Sequence, residues 1–211
     1  MDRKLQHIAI CGNIGSGKTT LTLKLARHYG WAPLTESVDD NPYLADFYAD
    51  MKMWAFHVQV YFLSNRFSQV SRMREKPGVT IQDRTIYEDA YIFAANLHES
   101  GFMSSRDYQC YKQVFNSMIG IVKPPEILIY LKAEVGKLIR QIKRRGRDYE
   151  RASSPEYLSN LNRLYDEWIM NYRLGPLLVV DVDHLEFENE EPGFENIVQK
   201  VDAILKNYEF R

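Results

Sequence analysis

A stretch near the start of the sequence places glycines, a lysine and hydroxyl side chains at a spacing that suits phosphate binding. Residues 12–19 read Gly-Asn-Ile-Gly-Ser-Gly-Lys-Thr and match the pattern G-x-x-x-x-G-K-[ST] of a P-loop. In such a loop the backbone N–H groups point at a polyphosphate, the lysine reaches the outer phosphates and the threonine hydroxyl binds Mg²⁺. The residues expected to bind a nucleotide are Gly12, Asn13, Ile14, Gly15, Ser16, Gly17, Lys18, Thr19 and Thr20.

Charged side chains follow two later apolar stretches. Glu36 comes after residues 31–35, and Asp83 with Arg84 comes after residues 79–82. The carboxyl ends of strands in a parallel sheet face the ligand crevice, so these charges are expected near the phosphates. Two alternatives stay open, namely Glu36 as a solvated loop acid and Asp83 with Arg84 as a structural ion pair.

A dense basic segment lies late in the chain, between residues 137 and 151. Because the whole chain has a net charge of −1, this local excess of arginine and lysine is unusual. Arginines on both sides of Gly146 favour a lid, at about residues 143–152, that closes on the phosphates, stabilises their charge and excludes water. The alternative is a basic helix end or a nucleic-acid patch.

Residues 43–75 contain neither glycine nor proline, and they are predicted to form one long helix or two in succession. The spacing of five side chains in this segment puts them on one side of a helix. They are Tyr48, Ala55, Gln59, Phe62 and Arg66. A few polar groups in an apolar lining suit a ligand-binding wall. An amphipathic boundary, whose polar groups reach into solvent, is the open alternative.

Alternating apolar strands and amphipathic helices supply the frame for these groups. A short apolar strand precedes the P-loop and an amphipathic helix follows it. The further predicted strands are residues 31–36, 79–83, 126–131 and 176–182, and the further predicted helices include residues 107–120, 155–173 and 193–208. This order predicts a single domain over residues 1–211, a three-layer α/β fold with a five-stranded parallel sheet and helices on both faces.

The composition excludes several classes of protein. Hydrophobic residues make up 45% and charged residues 26% of the chain, so neither disorder nor a membrane protein is indicated. The nearly neutral net charge argues against a broad nucleic-acid surface. With only Cys11 and Cys110 and no signal-type hydrophobic segment at its start, the chain is expected to be cytoplasmic, without a disulfide, and bound to neither nucleic acid nor membrane.

Three segments resemble the deoxyribonucleoside kinases, the family of deoxycytidine, deoxyguanosine and deoxyadenosine kinases and the mitochondrial-type thymidine kinase. They are the pattern Trp54-x-Phe56-x-x-Gln59-x-Tyr61-x-x-x-x-Arg66, the run from Asp83 to Ala94 and the lid segment from Arg145 to Glu150. The resemblance extends from Ile8 to about Trp168. It implies an enzyme that transfers a phosphoryl group from ATP, with Mg²⁺, to the 5′-hydroxyl of a deoxynucleoside. It also implies a homodimer.

The resemblance gives roles in phosphoryl transfer to several charged residues. It implies that Glu36 is the general base that takes the proton from the 5′-hydroxyl, with Arg84 beside it. It also implies that Arg145 and Arg147 are the lid arginines and that Asp83 helps to place Mg²⁺. Asp83 stands where many members of the family carry glutamate, which is one methylene longer.

A second group of residues is implied to recognise the base. Gln59 pairs with the base edge through an amide that both donates and accepts, Arg66 and Asp89 contact the rest of that edge, and Phe93 stacks on its face. Phe62 is bulkier than its counterpart in several relatives and favours a purine. Deoxyadenosine is therefore the expected acceptor, deoxycytidine and deoxyguanosine are further candidates, and thymidine is expected to be poor because its carbonyl would face the Asp89 carboxylate.

The resemblance also covers the sugar. Tyr48 and Glu150 are implied to hold the 3′-hydroxyl, at a place where an extra 2′-hydroxyl would be crowded.

Two other functions are weighed against the deoxynucleoside kinase. A nucleoside monophosphate kinase of the thymidylate-kinase type would share the P-loop and the lid, but it would need arginines on the acceptor phosphate where this sequence offers Glu36. A GTPase-like regulatory protein is disfavoured because the sequence contains neither Asn-Lys-x-Asp nor Asp-x-x-Gly.

Overall fold

The computed structural model describes residues 5–35, 41–146, 154–185, 187 and 191–209. A parallel sheet of five strands in the order β2-β3-β1-β4-β5 forms its centre, as the sequence predicted. The strands are β1 (His7–Gly12), β2 (Ala32–Leu34), β3 (Thr80–Asp83), β4 (Ile127–Lys132) and β5 (Leu177–Asp181). The first strand in the chain is therefore the middle strand of the sheet.

Helices cover both faces of this sheet. They are α1 (Lys18–Tyr29), α2 (Leu44–Ala49), α3 (Met51–Met73), α4 (Ile86–Glu88), a π-helix (Asp89–Ala94), α5 (Ala95–Glu99), α6 (Ser105–Ile119), α7 (Val135–Arg145), α8 (Pro155–Met170) and α9 (Glu191–Glu209). Within the described part of the chain, none of these helices has the length and apolar character to cross a membrane.

The alternation of side chains along β1 explains the three layers. Ile8 and Ile10 point to one face and belong to a core shared with α1, α7 and α9. Ala9 and Cys11 point to the other face and pack with α8 and the π-helix. Because both faces are covered, β1 reads as a continuous apolar run rather than an alternating one.

The strand register brings the chemically important positions to one edge of the sheet. Ile10 lies beside Asp83 in the β1–β3 pair, and Gly12 lies beside Leu131 in the β1–β4 pair. The end of β3 therefore lies next to the start of the P-loop.

The segment 43–75 forms two helices, with the break at Asp50. Asp50 has an extended backbone (φ −145°, ψ 88°), and its side chain accepts a hydrogen bond from the Met53 N–H at 3.0 Å. It is thus an N-cap that ends α2 and begins α3. The expectation that Tyr48 shares one helix with Gln59 is corrected, because Tyr48 lies on α2.

Part of the helical segment after β3 is not α-helical. Residues Asp89–Ala94 form a π-helix, in which hydrogen bonds run from i to i+5. Asp89 forms a buried ion pair, whereas Phe93 lines a cavity.

At the opposite edge of the sheet, Glu126 joins the start of β1 to the end of α3. One carboxylate oxygen accepts hydrogen bonds from the His7 N–H at 2.6 Å and the Gln6 N–H at 3.3 Å. The other oxygen accepts from the Arg74 guanidinium at 2.7 Å. This contact stabilises the fold at a distance from the P-loop.

Candidate active site

The P-loop has the backbone geometry of a phosphate cradle. Gly12 and Gly15 have φ values of +148° and +82°, and a Cβ on Gly12 would lie 2.8 Å from the Leu131 carbonyl oxygen. A side chain is therefore excluded at Gly12 by both space and backbone strain. Helix α1 starts at Lys18, so its N-terminal N–H groups and positive dipole end face the loop.

Two cavities, each of about 370 Å³, meet at this loop. The phosphate-end cavity is lined by Gly15, Gly17, Lys18, Thr19, Thr20, Gln141, Arg144 and Arg145. The second, which we call the acceptor cavity, is lined by Ile14, Gly15, Lys18, Thr19, Leu23, Thr35, Leu44, Phe47, Tyr48, Val58, Gln59, Phe62, Asp83, Arg84, Phe93, Arg145 and Tyr157. Lys18, Thr19 and Arg145 belong to both, so they lie where a donor phosphate and an acceptor would meet.

Thr19 and Asp83 form a pair suited to a hard cation. The Thr19 hydroxyl donates to Asp83 Oδ2 at 2.5 Å. Asp83 Oδ1 is buried and has no hydrogen-bond partner among the described residues. A carboxylate oxygen with spare acceptor capacity beside a hydroxyl fits the all-oxygen coordination of Mg²⁺.

Arg84 has an unusual backbone conformation at the rim of the acceptor cavity. Its φ of 71° is the one positive value at a non-glycine residue in the described part of the chain. Such a conformation costs about 1–2 kcal/mol and marks functional sites when it is held by its surroundings. The Arg84 N–H is fixed by the Ile10 carbonyl at 2.9 Å, and its guanidinium lies 4.1 Å from the centre of the Phe93 ring.

The side chains that the sequence places on one side of α3 do not all line the acceptor cavity. Gln59 and Phe62 line the acceptor cavity, whereas Ala55 and Arg66 are buried and do not belong to its described lining. Arg66 instead binds Asp89 through Nε at 2.7 Å and Nη2 at 3.3 Å. This ion pair leaves donors of Arg66 and acceptor lone pairs of Asp89 for a ligand, so their contact with the base stays a prediction.

Gln59 carries an unsatisfied atom at the cavity wall. The side chain is buried, and its Oε1 has no hydrogen-bond partner among the described residues. Because the residue lines the acceptor cavity, its amide can offer a donor and an acceptor to a ligand.

Several predicted site residues lie outside the described residues, namely Glu36, Arg147 and Glu150. The structure adds Tyr157 of α8 to the acceptor cavity. It also shows the Asn13 side chain donating to the Leu158 carbonyl at 2.9 Å. No local sequence signal marks these contacts, because α8 lies far from the P-loop along the chain.

Comparison with known proteins decides the family. The family model described as "Deoxynucleoside kinase" matches residues 8–206, nearly the whole chain. The chain belongs to the deoxynucleoside kinase family. It is 36% identical over 200 residues to a deoxyadenosine/deoxycytidine kinase of Bacillus subtilis, covering 94% of this chain and 92% of the relative. It is 41% identical over 205 residues to a deoxyadenosine kinase of Dictyostelium discoideum, covering 97% of this chain and 81% of the relative.

A solved structure supports the same assignment. The chain is similar to a deoxyadenosine kinase from M. mycoides solved with the products dCMP and dCDP, with a TM-score of 0.83 and 30% identity. The match covers 94% of this chain and 100% of that chain. This deoxynucleoside kinase is accordingly a phosphotransferase that uses a nucleotide as phosphate donor.

We expect the Arg145→Ala variant of this kinase to lose about 10²–10³-fold in kcat and much less in the KM for ATP. Arg145 lies where the two cavities meet, and charge develops on the oxygens of the phosphoryl group during transfer. Steady-state kinetics with ATP as the varied substrate measures both constants. The matched control is Lys143→Ala, which removes an exposed cation two residues away on α7. A change in KM alone would make Arg145 a binding residue only.

Proposed function

We propose that this kinase transfers the terminal phosphoryl group of ATP to the 5′-hydroxyl of deoxyadenosine, with deoxycytidine and deoxyguanosine as further acceptors. The observations that carry the choice of base are the buried Asp89 carboxylate, bound by Arg66 at 2.7 Å, and Gln59, a residue of the acceptor cavity whose amide has both a nitrogen and an oxygen. Adenine and cytosine offer an exocyclic amine to this oxygen, and the Gln59 amide N–H₂ can donate to the neighbouring ring nitrogen. Relatives named deoxyadenosine/deoxycytidine kinase and deoxyadenosine kinase support the same choice.

The acceptor is oriented along its cavity with the 5′-hydroxyl toward the P-loop. Phe93 supplies the ring that stacks on the base, and Phe62 lengthens the apolar wall along a purine. Tyr48 and Glu150 hold the 3′-hydroxyl. Thr35 lines the cavity, and Glu36 follows it directly in the chain, so we assign the removal of the 5′-hydroxyl proton to Glu36.

The donor end uses charges that converge on the phosphates. Lys18 and Arg145, together with Arg147, neutralise the oxygens of the transferred group, and Arg84 fixes the acceptor oxygen beside them. Mg²⁺ would be held by Thr19 and Asp83, whose oxygen atoms fit it. When bound, it supplies neutralisation of the charge on the nucleotide phosphates.

We expect thymidine to have a kcat/KM at least about tenfold below that of deoxyadenosine. Gln59 can pair with either base edge by turning its amide, but thymine presents a 4-oxo group where adenine presents an amine. This carbonyl would face the acceptor-only Asp89 carboxylate, and such a mismatch costs about 1–3 kcal/mol. A panel of the four deoxynucleosides with ATP and Mg²⁺ measures this. The highest kcat/KM on thymidine would contradict the assignment of Arg66 and Asp89 to the base edge.

The same panel separates the alternative functions. Deoxynucleoside monophosphates are included as acceptors, because a kinase of the thymidylate-kinase type would phosphorylate these and leave the nucleosides unchanged. A regulatory nucleotide-binding protein would bind ATP and phosphorylate neither group.

We further propose that the protein acts as a cytoplasmic homodimer. The family resemblance supports the dimer. The two cysteines, Cys11 and Cys110, are both free thiols, which supports a reducing compartment. Sedimentation of the purified protein at micromolar concentration tests the dimer.

A further inference from the structure

Glu88 lies at the centre of a buried hydrogen-bond network that joins the two loops of the active site. One carboxyl oxygen, Oε2, accepts from the Thr85 N–H at 2.6 Å and from the Thr85 hydroxyl at 3.0 Å. The other, Oε1, lies 3.2 Å from the Gly12 nitrogen and 2.8 Å from Tyr165 Oη. We call Gly12, Thr85, Glu88 and Tyr165 the Glu88 network.

Part of this network is a helix cap, and part is not. Thr85 and Glu88 form a capping box at the start of α4, with two reciprocal side-chain to backbone contacts. A capping box explains only the contacts between Glu88 and Thr85. The contacts to Gly12 on β1 and to Tyr165 on α8 require a second role, because they tie this helix start to the first residue of the P-loop.

The hydroxyl of Tyr165 has two short contacts and only one proton to donate. Its oxygen lies 2.8 Å from Glu88 Oε1 and also 2.8 Å from the Gly12 carbonyl oxygen. A phenol has one proton and can donate it to one of these oxygens. If Glu88 were ionised, one of the two short contacts would join two acceptors with no proton between them.

A neutral Glu88 satisfies every contact. Glu88 Oε1–H then donates to Tyr165 Oη, and the Tyr165 hydroxyl donates to the Gly12 carbonyl. The remaining lone pairs of the carboxyl group accept from Gly12 N–H and from Thr85. Buried networks of this kind are stable only when all members are paired.

The network also holds the strained backbone of Arg84. The Arg84 N–H donates to the Ile10 carbonyl of β1, and the N–H of the next residue, Thr85, donates to Glu88 Oε2. Without Glu88, the Thr85 end would be free to relax toward an ordinary conformation. The Arg84 guanidinium would then move relative to the P-loop.

We propose that Glu88, as an uncharged carboxylic acid, is a positioning residue that holds Arg84 in register with the P-loop. The proposal rests on the proposed function for its kinetic consequence, since Arg84 is assigned to the acceptor oxygen.

The charged and titratable groups around Glu88 are Arg84 after β3, Lys18 on α1, Cys11 on β1, Tyr130 on β4 and Tyr165 on α8. Burial raises the pKa of Glu88 above its ordinary value, whereas the charges of Arg84 and Lys18 oppose that rise. Burial also raises the pKa values of Tyr165 on α8 and Cys11 on β1, so both keep their protons. When Glu88 carries no charge, it does not compete with the phosphates for the cations Arg84 and Lys18.

Three variants test the positioning role. Glu88→Gln preserves the shape and the donor to Tyr165 and loses only the 3.2 Å contact with the Gly12 N–H, so its kcat stays within about fivefold of the wild type. Glu88→Ala lowers kcat by about 10²-fold with little change in either KM, because a displacement of about 1 Å has an effect of this size. Tyr165→Phe removes the link to Gly12 and lowers kcat by about tenfold.

Matched controls separate positioning from stability. Tyr172 belongs to the same hydrophobic cluster as Tyr165, and its buried hydroxyl has no hydrogen-bond partner among the described residues. Tyr172→Phe removes this hydroxyl. We expect this variant to keep wild-type kcat. Glu126→Ala removes a structural acid at the far edge of the sheet, so it lowers the melting temperature and leaves kcat near wild type.

Infrared difference spectroscopy measures the charge state without any turnover. The wild type minus Glu88→Gln spectrum at neutral pH should contain the carbonyl band of a protonated carboxylic acid. If Glu88→Ala does not fold, this spectrum and the Tyr165→Phe variant still test the proposal.

The possible outcomes are decisive. Absence of the acid band, or a loss in Glu88→Gln as large as in Glu88→Ala, overturns the uncharged form. Normal kcat in Glu88→Ala overturns the positioning role. A wild-type protein that phosphorylates no deoxynucleoside would refute the proposed function, while the acid band would still report on Glu88.

Discussion

The Glu36→Gln variant is expected to turn over about 10²–10⁴-fold more slowly than the wild type, with little change in nucleoside binding. Glutamine keeps the shape and hydrogen-bonding capacity of the side chain but cannot accept a proton at neutral pH. The 5′-hydroxyl would then have to lose its proton without a base. Measurement of kcat together with the dissociation constant for deoxyadenosine separates the chemical step from binding.

A matched control for this variant is Asp46→Asn. Asp46 is an exposed carboxylate in the first turn of α2, outside the described lining of the acceptor cavity, so its neutralisation should leave kcat unchanged. Near-normal turnover in Glu36→Gln would remove Glu36 from the mechanism and return it to the alternative of a solvated loop acid.

The Asp89→Ala variant is expected to lose about 3–5 kcal/mol of unfolding free energy. Asp89 and Arg66 are both buried and joined by a two-pronged ion pair. Removing one partner leaves the other as a buried charge without its counterion. Urea unfolding at neutral pH measures the change. Glu167→Ala, which breaks an exposed pair with Arg163, should cost less than about 1 kcal/mol.

The double variant, Arg66→Met with Asp89→Ala, should recover most of that loss. Both charges are then absent, and an apolar side chain fills part of the space. It should also relax the discrimination against thymidine, because the Asp89 carboxylate that would face the thymine carbonyl is absent. A double variant as unstable as Asp89→Ala would contradict the pairing. One that still refuses thymidine would place the discrimination elsewhere.

The sequence predicted best what is encoded locally. The P-loop pattern carries its own geometry, since Gly12 and Gly15 are required by backbone conformation and close contacts. Asp83 follows a buried strand, and a parallel sheet necessarily brings such strand ends to one edge. These residues therefore lie where the sequence placed them.

The parts that sequence reasoning missed depend on tertiary contacts or on rare backbone geometry. The residue that divides α2 from α3, Asp50, is a helix cap whose role is visible only when its bond to Met53 is seen. A π-helix has no composition signal that distinguishes it from an α-helix, so the sequence did not predict the π-helix over Asp89–Ala94. The link between Tyr165 and Gly12 joins residues remote in sequence, and neither one predicts the other.

The sequence left open whether the residues on one side of α3 form a ligand-binding wall or an amphipathic boundary. The structure shows that only some of them line the acceptor cavity. Gln59 and Phe62 belong to the wall, and Arg66 belongs to a buried layer behind it. Helical spacing defines the direction of a side chain but not its depth, because depth depends on the π-helix that packs against α3.

The central position of β1 has a consequence for how the chain is made. Its hydrogen-bonding neighbours are β3, which starts at Thr80, and β4, which starts at Ile127. A ribosome releases β1 and the P-loop first, so this segment waits for both neighbours to be synthesised before the sheet can close around it. Such long-range pairing slows folding and exposes apolar edges meanwhile. The nucleotide cradle is thus made well before the second strand that pairs with β1 is available.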